Sequence, residues 1–141
     1  MTAFYRFFYD TYIEMSLAVA CLLYILWNWQ GDLGHLVGFG LAIIAMPFWI
    51  KARLDLGLSY SVLPQAARLV TTGIYGKIRH PMYLFSTLVL LGIVIALGYK
   101  ILYALVAIVT IMQFIRAREE DLVLLAHYGS IFTEYRKLTW F

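Results

Sequence analysis

The chain has 141 residues, of which 63% are hydrophobic and 13% charged, with a net charge of +3. An ordinary soluble domain is about 45–50% apolar and about 25% charged, and one this small buries only about 60–70% of its surface, so a water-soluble globule is excluded and a membrane is implied. The lone cysteine, Cys21, excludes an internal disulfide framework and any multi-cysteine metal site, and in its apolar run it reads as a small packing residue.

A helix needs about 17–25 apolar residues to cross a bilayer. The first candidate span covers about 12–29; it is too long for a signal-peptide core and no small-residue cleavage site follows, so it is expected to stay in place. Glu14 lies near one end of it, either reaching the interface or playing a polar part inside the bundle. The second span, about 33–50, carries Gly34, Gly38, Ala42 and Ala45, a spacing of small residues that lets helices approach closely, and contains Pro47, which can kink it. A long segment, 51–81, separates it from the third span, about 82–99; loops of that length usually carry function or local structure of their own. Gly98, Tyr99 and Lys100 leave so short a link to the fourth span, about 101–115, that spans three and four are expected to form an antiparallel hairpin. No Pro or Gly interrupts 116–128, so the helix should continue into water. Leu122, Leu125, Tyr128 or Gly129, Phe132 and Tyr135 predict an amphipathic C-terminal helix over about 116–135.

Basic residues set the orientation. With four spans, Arg6, Lys51, Arg53, Arg68, Lys77, Arg79, Arg116, Arg118, Arg136 and Lys137 share one side and Lys100 alone lies on the other. This asymmetry predicts both termini in the cytoplasm, in the plasma membrane of a prokaryote or the endoplasmic reticulum of a eukaryote. The expected architecture is therefore an all-α integral membrane domain over 1–141, multi-pass, with a cytoplasmic C-terminal helix.

Two polar clusters flank the hairpin. Arg79-His80-Pro81-Met82-Tyr83 opens the third span and Arg116-Ala117-Arg118-Glu119-Glu120-Asp121 follows the fourth, so both should lie at one membrane level. Read plainly, Pro81 starts a helix, Arg79 snorkels to headgroups, and Arg116 and Glu120 form a solvated pair four apart. Read for chemistry, the clusters bring a cation for an anionic substrate beside carboxylates for ribose or amino groups. Leu69-Val70-Thr71-Thr72-Gly73-Ile74-Tyr75-Gly76 precedes them, with glycines that permit close backbone approach to a bound molecule. His35, His80 and His127 lie far apart, so no metal site is expected, and no Walker or GxGxxG motif is present. Nucleic acid is not expected as a partner, because topology accounts for the basic residues.

The loop motif at 69–75, the Arg79-His80-Pro81-Met82-Tyr83 stretch, Glu120-Asp121, Gly129 and Tyr135 together resemble the isoprenylcysteine carboxyl methyltransferase family, a group that also includes the phospholipid N-methyltransferases. The resemblance covers about 64–141. It implies S-adenosylmethionine as cofactor, held by the loop at about 64–81 and by Leu69, Val70, Tyr75, His80, Pro81, Met82, Tyr83 and Glu120. It places Arg116 on the acceptor's carboxylate; with Glu119 and Arg79, which the polar clusters themselves suggest, Arg116 makes up the expected catalytic set. Phe85 stands where the family often has Gly, a change expected either to narrow the pocket or to alter how the methyl donor sits, and Asp121 stands where a second Glu is usual.

The expected reaction is methyl transfer to a lipophilic acceptor, foremost an isoprenoid-linked carboxylate, which is a nucleophile once ionised. A phospholipid amine would need a base such as Glu119 or Glu120. Two further readings are a nicotinamide-dependent membrane reductase and a non-catalytic protein binding a lipid or partner helix.

Overall fold

The computed structural model describes residues 3–29, 31–56 and 69–140, with side chains from 12 onward. Arg68, the side chain of Arg6 and the first part of the expected cofactor loop, 64–68, lie outside the described residues. The described chain is all-helical: α1 (Ala3–Trp27), α2 (Leu33–Leu56), a 3₁₀ turn (Gly73–Gly76), α3 (Pro81–Leu97), α4 (Lys100–Tyr128) and α5 (Ser130–Leu138). Among the described residues there is no strand, only one parallel backbone bridge between Ile78 and Trp140. Two helices, α2 and α4, are long and apolar enough to cross a membrane.

The core forms where α1, α2 and α3 meet. Ala18, Leu22 and Ile25 recur at helical spacing on α1, facing Ala42, Ala45, Met46 and Trp49 of α2 and Val89, Ile93 and Ala96 of α3. The closest approach is at Gly38 and Gly92. A Cβ on Gly38 would lie 2.3 Å from the Ala96 nitrogen and 2.5 Å from the Gly92 oxygen; one on Gly92 would lie 2.6 Å from the Gly38 oxygen. The small-residue stripe read from α2 thus has a counterpart on α3. Further along the seam Phe48 stacks on Phe85, centroids 5.1 Å apart.

Gly98 adopts φ 70° at the end of α3, a left-handed conformation that glycine reaches without strain. α4 then runs unbroken through 116–128, as the absence of helix breakers predicts. The expected C-terminal helix over 116–135 is divided, because Gly129 turns the chain at φ 52° and ψ −117° and starts α5. Contacts between α3 and α4 pair early residues of one with late residues of the other. Tyr83 meets Glu120, and Thr87 Oγ1 donates to Gln113 Oε1 at 2.5 Å. α4 otherwise buries only Val106 and Ala117 and leaves Ile101, Ile108, Ile111 and Met112 exposed.

Candidate active site

The site begins with a loop anchored at three places. Gly73, at φ 64°, lies against α2: a Cβ there would come within 2.2 Å of Asp55 Oδ2, so only glycine fits without displacing that carboxylate. Asp55 accepts the Ile74 N–H at 3.3 Å and pairs with Lys51 at 3.3 Å. From the other side, the Tyr135 hydroxyl donates to the Tyr75 carbonyl at 2.6 Å. Trp140 donates its N–H to the Lys77 carbonyl and accepts that of Arg79, each at 3.1 Å. Phe132, fully buried, packs beside Tyr135. Burial pushes the Tyr135 hydroxyl up to about 12 and, with the nearby Glu120 charge next in weight, raises that of Tyr75 as well, so both stay protonated donors.

Pro81 fixes the first turn of α3 and holds His80 just outside the helix, at φ −122° and ψ 57°. His80 is buried, 7% exposed. Its Nε2 lies 2.9 Å from Asp121 Oδ1 and its Nδ1 3.6 Å from Glu120 Oε2. Arg79 Nε stands 3.3 Å from the same Asp121 oxygen. Tyr83 lies one turn beyond His80 on the same face, its ring stacked at 5.9 Å, and its hydroxyl donates to Glu120 Oε1 in a short hydrogen bond. Burial raises the pKa of Glu120, while the Tyr83 hydrogen bond and the charges of His80 and Arg116 pull it down.

Beside this cluster, between α1, α2, α3 and α4, is a cavity of about 330 Å³. Its walls are largely apolar, and the polar groups reaching it are Glu14, Arg53, Tyr83, Ser86, Gln113 and Arg116. Arg53, 2% exposed, is held 3.1 Å from Glu14 Oε2 and 3.7 Å from Met82 Sδ. Gln113 donates to Ser86 Oγ at 3.1 Å. Tyr83 belongs to both places: its ring lines the cavity and its hydroxyl joins the carboxylate cluster.

The structure brings together Arg79, His80, Tyr83 and Glu120, with Tyr75 close by. Arg116 faces the adjoining cavity, and Met82 faces it too, against Arg53. Pro81 is buried at the helix start. Leu69 and Val70 are half-buried ahead of the 3₁₀ turn, and Glu119 is exposed. Phe85 faces α2 and does not line the cavity, so it does not narrow that space. Reasoning from sequence gave Asp121, which binds both Arg79 and His80, no role in the site, and missed Arg53, which has the buried position its charge made least expected; Glu14, half-exposed, pairs with it. Asp121 had a signal in its helical neighbourhood to Glu120. Arg53 had none, since its partner is 39 positions away.

The chemistry of this donor set fits a nucleoside linked to an amino acid. Carboxylates can accept from ribose hydroxyls and an ammonium group, and aromatic ring faces can stack on a base or attract a sulfonium. Among the described residues no cluster could hold a metal ion. The sequence profile of the phospholipid methyltransferase family matches residues 33–131, from the start of α2 to the start of α5. No curated protein and no solved structure matches the chain. The match takes in both polar clusters, leaves α1 and its Glu14 outside, and includes the residues on which the family resemblance rests, apart from Tyr135. With a match over 33–131 of 141 residues, the chain belongs to the phospholipid methyltransferase family, within the group shared with the isoprenylcysteine carboxyl methyltransferases.

Proposed function

We propose that the chain is an integral membrane methyltransferase, one domain over 1–141, that uses S-adenosylmethionine and takes a lipophilic acceptor into the cavity between α1 and α4. The observation that carries this is the shared position of Tyr83, which joins a carboxylate cluster suited to the cofactor and a greasy cavity edged with charge. In water the exposed apolar side chains of α4 would be costly; in hydrocarbon they cost nothing, which supports α1 to α4 as four spans. On this reading α3 and α4 are the hairpin, both termini are cytoplasmic, and the polar site lies at the cytoplasmic membrane level. Reporters fused at Gly31 and Lys100 should then read outside, and one after Phe141 inside.

The bound donor would supply a methyl group on a positively charged sulfur. Glu120, His80, Tyr83 and the loop from Leu69 and Val70 to Tyr75 bind and orient it, and Arg79 holds Asp121 and hence His80 in register. Arg116 aligns the acceptor's carboxylate from the cavity side. An ionised carboxylate held there is itself the nucleophile, and the donor would supply the methyl carbon with a sulfur leaving group that takes the electron pair of the broken bond. No general base is needed, so the protein's work is alignment and exclusion of water.

The family supports a second reading, a phospholipid amine. The base would be Glu120 through Tyr83, because Glu119 points away from the site. Titration of the purified protein tests the common core. S-adenosylhomocysteine should bind at micromolar affinity, roughly −8 kcal/mol, and Glu120→Gln or His80→Ala should each weaken it by about 1–3 kcal/mol. Binding of NADPH instead would favour a reductase, and binding of neither a non-catalytic role.

A further inference from the structure

We infer that Arg53 is the anchor for the acceptor's anionic group, and that Glu14 is an internal competitor that occupies Arg53 until the acceptor displaces it. The inference rests on the methyltransferase reading. A guanidinium removed from water requires a counter-charge, because an uncompensated buried ion is strongly destabilising. Arg53 is 2% exposed and forms part of the cavity wall; its counter-charge is Glu14, 3.1 Å away.

The two partners are unequally held. Arg53 is enclosed by α2 and its contact with Met82. Glu14 is 46% exposed, on the stretch of α1 before Ala18 where no described side chain is buried. A permanent neutralising partner would be enclosed as its arginine is. Glu14 instead can turn outward to the interface, while Arg53 has nowhere to go. Arg116 faces the same cavity from α4, so an incoming anion would meet two arginines. Carboxylate and phosphate both match the guanidinium fork, and this shared chemistry is what the site selects. α1, which supplies the competitor, lies outside the residues that match the family.

The test uses the full chain in detergent with S-adenosylmethionine and two probes, N-acetyl-S-farnesylcysteine for the carboxylate and phosphatidylethanolamine for the phosphate. Glu14→Gln should lower KM for the probe that is methylated by roughly two- to fivefold, the effect of deleting a competing pair of this exposure. Its affinity for S-adenosylhomocysteine should match the parent's. Arg53→Gln should raise KM about tenfold or more. Glu14→Asp, which keeps the charge but draws it back from Arg53, should shift KM in the same direction as Glu14→Gln by less, and serves if the latter does not fold. The probe should also raise the melting midpoint more in Glu14→Gln than in the parent, since it then supplies the missing charge. A parent that methylates a probe but whose KM is unmoved or raised by both Glu14 variants overturns the inference alone. A parent that binds no S-adenosylhomocysteine and methylates neither probe overturns the methyltransferase reading with it.

Discussion

Replacing Gly38 by alanine should separate two helices that have no slack. The new Cβ would meet the Ala96 nitrogen at 2.3 Å, the Gly92 oxygen at 2.5 Å and the Ala96 Cα at 2.9 Å, where an unstrained carbon contact is about 3.5–4.0 Å. All three obstacles are backbone, so relief requires a movement of roughly 1 Å between α2 and α3, and a gap of that size forfeits a quarter to a half of each dispersion contact along the seam. Overpacking at the upper end of its usual range costs about 3 kcal/mol; the gain in helix propensity returns about 1 kcal/mol, leaving a net loss of about 2 kcal/mol. Gly40 is the internal control, on the same helix with nothing within 4 Å of its Cβ, so Gly40→Ala should gain about 1 kcal/mol. Reversible unfolding in mixed detergent, followed by tryptophan fluorescence, would place the two midpoints. A Gly38→Ala midpoint at or above that of Gly40→Ala would refute the tight crossing.

If the acceptor is a carboxylate, Arg116→Lys should slow single-turnover methyl transfer about tenfold, for roughly 1.4 kcal/mol of lost alignment, with S-adenosylhomocysteine affinity nearly unchanged; full activity of Arg116→Ala on that probe would remove Arg116 from its role. Tyr135→Phe leaves the buried Tyr75 carbonyl without its donor and should cost about 1–3 kcal/mol of stability, read from the melting midpoint. Because burial raises the Glu120 pKa, the folded chain holds that proton more tightly than the unfolded one. Its contribution to stability is therefore full below the ordinary carboxylate range and is lost as pH rises through the raised value. Glu120→Gln cannot ionise, so its melting midpoint should gain on the parent's across that window, and a difference independent of pH would contradict the assignment.

Much of this arrangement is legible in the chain. Helical periodicity and apolar length locate the helices, the glycine and alanine spacing on α2 marks the seam, and unbroken helix formers carry α4 through 116–128. The convergence of His80 and Tyr83 with Glu120 follows from a short link between two helices. What sequence hides is rotation about the helix axis. Asp121 and Glu119 flank Glu120, yet one turns toward His80 and the other away, and adjacent helical positions differ by about 100°. Arg53 reads as an interfacial cation because its burial depends on α1 and α3 closing over it. Gly129 sits on a plausible apolar stripe, and only its positive φ divides the helix there.

The clasp made by Trp140 has a consequence in time. Its backbone joins Lys77 and Arg79, so the order of synthesis separates the loop from the strap that secures it by 61 residues beyond Arg79. At about 5–20 residues per second, that interval is roughly 3–12 s. For that long a nascent chain has the loop but not the segment that fastens it. The loop is therefore fastened late, after the helices of the bundle have been made.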